Sequence, residues 1–357
     1  MGNIERFVAG QLAAWEVPGC AVAAVRGGKV ELAAGWGHRD REAGLPVTKD
    51  TLFAIGSTTK AFTVTTIGAL VDEGLLEWDR PLRDYVPGIR LHDSVVTDRL
   101  TIIDLLSHRS GLPRHDLTWA GHPDRSRADI VGRLRFLPLS RDLRQEFQYC
   151  NLGYLVAGHV VDVLSGASWE DFLRGRLLGP LGMGRSNLSV EEMRADPDHA
   201  AGYERRDGAI VPVPQRPLPA VAPAGGINSS AADMARWMLA QLGGGQLDGA
   251  TVMSAATLAR QHTPHMLVPE RRDLEGITEY AYGLGWAIGR YRDRRLVVHA
   301  GGIDGFMAHC MLLPDDGAGV IVLANSSSSL MPMVIACQVL DELLGIEPLD
   351  LFSVLKP

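Results

Sequence analysis

Cysteine is scarce and scattered. Cys20, Cys150, Cys310 and Cys337 form no CxxC pair and no zinc-ligand spacing, so neither a disulfide scaffold nor a structural metal is expected. No apolar run reaches the ~18 residues that a membrane span requires. The opening Met1-Gly2-Asn3-Ile4-Glu5-Arg6 lacks the basic, apolar and small-residue segments of a secretory signal, and Arg6 stands where N-myristoylation needs Ser or Thr. Positive charge is also in short supply: 35 Lys and Arg against 42 Asp and Glu leave a net charge of −7 with no basic tail, which disfavours nucleic acid as a partner. The expectation is a cytoplasmic chain with reduced thiols and no membrane partner. Two motifs are missing as well. Without Gly-x-Ser-x-Gly an α/β-hydrolase elbow is excluded, and without Gly-x-Gly-x-x-Gly there is no dinucleotide site.

What is present is ordinary globular material. Apolar residues make up 46% and charged residues 22% of 357, enough for a substantial core in two domains or one two-lobed unit. Apolar residues Ile4, Phe7, Val8, Leu12 and Trp15 recur at helical spacing, and Pro18-Gly19 ends that helix. The β-rich runs 20–25 and 29–34 flank Gly27-Gly28 as a hairpin. A largely apolar helix follows Gly56 and ends at Gly74, so it is expected in the core. Short helical patterns over 101–107, 152–164 and 169–178 lie between turn-rich connectors, with Thr101 and Asp104 spaced as a capping box. After a proline-rich loop over 212–223 come a helix at 231–242, strand-like runs at 283–288, 296–299, 306–313 and 319–323, and a closing helix at 333–344. Five or six strands joined by short turns predict an α/β (α+β) fold with a mostly antiparallel sheet flanked by helices. The expected division is an α/β lobe, 1–75 plus 225–357, with a helical lobe, 76–224, inserted in it.

Lysine occurs only at positions 29, 49, 60 and 356, which makes its motifs easy to judge. Ser57-Thr58-Thr59-Lys60 opens the apolar helix, and a spacing of three puts amine and hydroxyl on one face. A serine becomes a nucleophile when an adjacent base takes its proton, and burial can lower a lysine toward neutrality for that task. A Ser N-cap beside a snorkelling Lys is the plainer reading. The second match, Ser353 to Lys356, has no packed element after it and is set aside. Tyr149-Cys150-Asn151 precedes another apolar helix; a phenol near a lysine ammonium is expected below its usual pKa of ~10 and able to exchange protons. Asn151 offers an amide for a substrate or for Lys60, or a simple N-cap. His299-Ala300-Gly301-Gly302 ends a strand, where glycines permit close approach and the Gly302 N–H could join that of Ser57 around an oxyanion, unless the segment is an ordinary hairpin turn.

Taken in order, Ser57-x-x-Lys60, Tyr149-x-Asn151 and His299-x-Gly301 resemble the serine β-lactamase and penicillin-binding protein superfamily, on its class C, esterase and D-aminopeptidase side. The phrases Leu105-Leu106-Ser107-His108-Arg109-Ser110-Gly111-Leu112, Pro223-Ala224-Gly225-Gly226-Ile227, Tyr282-Gly283-Leu284-Gly285-Trp286 and Val322-Leu323-Ala324-Asn325 are similar to stretches common there, so the resemblance spans nearly the whole chain. It implies that Ser57 is acylated, Lys60 accepts its proton, Tyr149 serves as second base and as acid for the leaving group, and Asn151 contacts a substrate amide. It places Gly302 at the second oxyanion N–H, with His299 where penicillin-binding enzymes carry a lysine. A histidine that is mostly neutral at pH 7 argues against efficient β-lactam turnover. The implied activity is a cofactor-free, metal-free acyl hydrolase acting on a small-molecule or peptide-like ester or amide. The alternatives are an acyltransferase or peptide cyclase using the same acyl-enzyme, and a non-catalytic binding module. Oligomeric state stays open, and substrate preference is expected from the loops at 114–127 and 212–224.

Overall fold

A computed structural model describes residues 2–120, 122, 124–274, 276–327 and 329–355. The chain begins with helix α1 (Gly2–Trp15) and enters strands β1 (Gly19–Arg26), β2 (Lys29–Asp40) and β3 (Leu45–Pro46). Helix α2 (Thr59–Asp72), helix α3 (Asn151–Ser165) and helix α4 (Ala231–Leu242) follow. Strands β4 (Met266–Leu274), β5 (Ile277–Tyr282), β6 (Ala287–Tyr291), β7 (Arg294–Ile303), β8 (Phe306–Leu313) and β9 (Ala318–Ala324) then lead to helix α5 (Met331–Leu344). The strands form one nine-stranded sheet in the order β4-β5-β6-β7-β8-β9-β1-β2-β3, antiparallel throughout.

The sheet has more strands than the five or six expected. The additions are its edges, and the run at 283–288 is displaced into β6 by a turn that includes Gly285 at φ 74°. The closing register, Cys20 opposite Ala324 through Arg26 opposite Ala318, sets the first strand beside the last.

Alternation explains how this sheet is covered. Along β1, Ala21, Ala23 and Val25 face one core while Cys20, Val22 and Ala24 face another, so both faces of the strand are dry and its sequence is apolar up to the exposed Arg26. The second face is closed by α1 and α5 through Val8, Ile335 and Val339. The first is closed by α2 and α4, whose Phe62 and Trp237 rings stack at 4.0 Å. α2 is buried on nearly every side, surrounded by the sheet and α4 and by α3 of the helical region. Its threonines bond inward to carbonyls: Thr63 Oγ1 donates to Pro223 at 2.7 Å and Thr66 Oγ1 to Thr63 at 2.7 Å. It ends as expected, with Gly74 at φ 74°.

The residues between α2 and α4 are mostly short helices and connectors. Where this region returns, Phe53 and Ala54 pair with Ser229 and Asn228, and Ile55 N–H donates to the Ile227 carbonyl at 3.0 Å. Among the described residues no helix is long and apolar enough to cross a membrane.

Asp104 ties the helical region together. Its buried carboxylate closes the Thr101 capping box and accepts from Arg109 Nε at 2.7 Å and from Arg144 Nε and Nη2 at 2.9 Å. Burial alone would raise its pKa, but the hydrogen bonds from Arg144, Thr101 and Arg109 hold it below the usual carboxylate value. Asp104→Asn strands two guanidinium groups, one of them half exposed, and is expected to cost about 3 kcal/mol in denaturant unfolding. Asp98→Asn, in an exposed pair with Arg83, should cost much less. Since the folded pKa lies below the unfolded one, the Asp104 contribution holds above about pH 4 and is lost as acid titrates through the folded value.

Candidate active site

Ser57 sits in a tight turn, Gly56–Thr58, that feeds directly into α2, and it is half-buried at the foot of a cavity of about 740 Å³. The turn is pinned from two directions. The returning chain holds the helix start through Ile227 N–H, which donates to Thr59 Oγ1 at 3.2 Å. Strand β7 presses on it from the other side: a Cβ on Gly301 would lie 2.0 Å from the Ile55 carbonyl oxygen, and one on Gly56 would lie 2.8 Å from Gly302 N. Only glycines permit that approach. In the antiparallel ladder Ile303 and Phe306 close the two-residue turn, so the alternation of paired and unpaired positions leaves the Gly302 N–H on the free edge of β7, beside Ser57.

Lys60, one helical turn on, is fully buried. Its Nζ lies 3.0 Å from Ser57 Oγ, 2.9 Å from Asn151 Oδ1 and 2.8 Å from the Ala224 carbonyl oxygen. Burial, reinforced by the Arg114 charge, pushes its pKa down to about 7. The tyrosine rings of Tyr149 and Tyr154 flank the amine, with centroids 4.9 and 5.2 Å away. The plainer reading of Lys60 as a snorkelling surface lysine does not describe this group.

Tyr149 is half-buried and hydrogen-bonded to Ser57. Its phenol departs from the expected downward shift. The hydroxyl end is out of water, and that desolvation outweighs the Ser57 hydrogen bond and the Arg114 charge, raising its pKa above the usual phenol value. At neutral pH it keeps its proton. Asn151, at the first turn of α3, lines the cavity but directs its carbonyl to Lys60, and its Nδ2 lies 3.4 Å from Asp116 Oδ1.

His299 is brought close to these groups yet lies behind them, off the cavity wall. Its Nδ1 donates to the Ala300 carbonyl at 2.6 Å, leaving Nε2 to accept from the Tyr282 hydroxyl at 2.9 Å. Burial and the Lys60 charge hold its pKa down at about 3, so it is neutral at pH 7 as its side-chain type suggested, and more firmly so. Its ring lies beside Tyr149, with centroids 6.5 Å apart, and does not line the cavity.

Three contributors are absent from the sequence reading of the site. Arg114 and Asp116 pair at 2.7 Å on the cavity wall, and the guanidinium lies 5.7 Å from the Tyr149 ring centroid. They fall in the 114–127 loop expected to shape substrate preference, of which Gly121 and Pro123 lie outside the described residues; Pro217 and Leu218 of the other loop line the same cavity. The third is the Ala224 carbonyl, for which no side-chain signal exists. Of the rejected motif, Lys356 lies outside the described residues.

The sequence profile of one family, described as Beta-lactamase, matches residues 4–339. Among individual proteins, the unguisins hydrolase ungD' of Aspergillus campestris is 34% identical over 94% of this chain and 64% of its own length. The unguisins hydrolase ungD of Aspergillus violaceofuscus is 31% identical over 99% of this chain and 66% of its own, so the chain spans just under two thirds of both relatives. Penicillin-binding protein 4 of Amycolatopsis lactamdurans is 33% identical over 87% of this chain and 81% of its own. A solved structure, the octameric penicillin-binding protein homologue from Pyrococcus abyssi, superposes with a TM-score of 0.85 at 30% identity, over 97% of this chain and 78% of that one. With the motif order, the sheet and this match along nearly its whole length in agreement, the chain belongs to the beta-lactamase family.

Proposed function

We propose that this protein is a serine acyl hydrolase that works through an acyl-enzyme on Ser57. The observation that carries the reading is the amine of Lys60. Asn151 Oδ1 and the Ala224 carbonyl can only accept hydrogen bonds, so a neutral amine gives them two N–H bonds and is left with its lone pair facing the Ser57 hydroxyl. A pKa near 7 leaves much of the amine neutral at physiological pH, where it can take the serine proton as Oγ attacks an ester or amide carbonyl.

The developing oxyanion is received by the N–H groups of Ser57 and Gly302, which the close contact of β7 with the nucleophile turn sets side by side. Tyr149, protonated and hydrogen-bonded to Ser57, delivers a proton to the departing alcohol or amine. Water then attacks the acyl-enzyme, with Lys60 and Tyr149 moving protons in reverse. None of these steps calls on a metal or an organic cofactor. The relatives named as hydrolases support water as the acceptor over an amine or alcohol. The cavity volume suits a substrate of drug or short-peptide size, a peptide-like ester or amide.

Ser57→Ala should lower kcat/KM for a chromogenic ester by at least about a thousandfold with unchanged thermal unfolding, and a fluorophosphonate probe should lose its adduct on residue 57. Equal turnover by wild type and variant would refute the assignment. The pH profile supplies a second check. Because protonated Lys60 cannot accept the serine proton, kcat/KM should rise with pH through a single ionisation near 7 and then level off. His299, neutral over this range, should add no inflection between pH 5 and 8.

A further inference from the structure

His108 occupies a place where a ring is costly. It follows the short helix Ile102–Leu106 and its cap Ser107, at φ 59° in the left-handed region. That position past a helix end ordinarily goes to glycine or asparagine. The side chain held there is fully enclosed, and it is hydrogen-bonded to the segment that carries Tyr149.

The His108 carbonyl accepts from Gln148 N–H at 2.8 Å, and its Nδ1 accepts from Cys150 N–H at 3.1 Å, so the two bonds bracket Tyr149 in the chain. The imidazole lies 4.4 Å from the Tyr149 ring, centroid to centroid, and 4.7 Å from Tyr282, with Phe147 and Tyr154 at 5.6 and 5.4 Å. With Nδ1 accepting, the proton sits on Nε2, which is buried with no hydrogen-bond partner. A polar group left unsatisfied inside this aromatic cage is a cost that turn formation does not explain.

We propose that His108 is the positioning residue for the Tyr149 phenol: it fixes the backbone on both sides of Tyr149 and braces the ring so that the hydroxyl stays on Ser57. This rests on the role of Tyr149 as acid for the leaving group. Burial, reinforced by the nearby Lys60 and Arg114 charges, keeps the imidazole neutral, so the brace adds no charge beside the amine.

The test compares an alkyl ester, which needs a proton on its leaving group, with the p-nitrophenyl ester of the same acid, which does not. Tyr149→Phe should lose about tenfold or more additional kcat/KM on the alkyl ester. His108→Gly removes the brace while supplying the residue the turn favours, so circular dichroism and thermal unfolding should report a folded protein. It should reproduce the selective loss on the alkyl ester in milder form. His108→Asn tolerates the same backbone and serves if the glycine variant does not fold. Equal losses on both esters, or none, in a folded His108 variant overturn the proposal while leaving the acyl-enzyme intact. If Tyr149→Phe itself shows no selectivity, the role of Tyr149 fails and the positioning role fails with it.

Discussion

Everything at this site depends on keeping one amine out of water without giving it a counter-ion. A lysine ammonium in bulk water keeps its proton up to about pH 10.4, and burial among neutral groups is what brings it into the range of a base. Lys60 meets that condition because its three contacts, a hydroxyl, an amide oxygen and a peptide carbonyl, carry no formal charge. A carboxylate in direct contact would raise the pKa again. Asp116, the acid closest in the network, is separated from the amine by Asn151 and held by Arg114, whose own charge acts in the opposite direction.

That requirement explains the architecture. The three contacts come from the turn before α2, the start of α3 and the segment that returns from the helical region, so no single element could build the site. The nine-stranded sheet supplies the wall: β7 ends in glycines against the Gly56–Thr58 turn. α2 is fixed by burial on nearly every side, with Phe62, Val64, Ile67 and Leu70 each contributing about 1.5–3 kcal/mol when buried. Packing therefore sets the position of the serine, and the helical region sets the polarity around it.

How much of this could be read from the chain follows from range. The closeness of Ser57 and Lys60 was legible because their relation is local, three residues apart across the turn that opens α2. Tyr149, Asn151 and Gly302 were legible through the order of their motifs. The central strands were legible too, since sheet burial on both faces leaves continuous apolar runs such as 20–25 and 318–324. Edge strand β4 was not, because Pro269 and the charged residues after it mimic a loop and only pairing with β5 makes a strand of it. The direction of the Tyr149 shift was missed because the number of waters removed from a hydroxyl is a property of the packed state, whereas proximity to a lysine can be guessed from motifs. The Ala224 carbonyl and the left-handed turn at His108 are backbone features that residue identity does not announce.

The aromatic cage behind the amine has the same logic as the amine's own contacts. Tyr149, Tyr154, Tyr282, His108 and His299 are all titratable, and all are driven toward their neutral forms, phenols upward and imidazoles downward, with desolvation the leading cause in each. A second cation among them would depress Lys60 further and repel its protonated form after attack; an anion would hold the proton on it beforehand. Hydrogen bonds within the cage stay neutral to neutral, as where the Tyr282 hydroxyl donates to His299 Nε2 at 2.9 Å and Tyr154 to the Leu106 carbonyl at 2.6 Å. Such a shell can hold the geometry of these groups without fixing their charge, which is the condition that the proposed movement of a proton among serine, lysine and tyrosine requires.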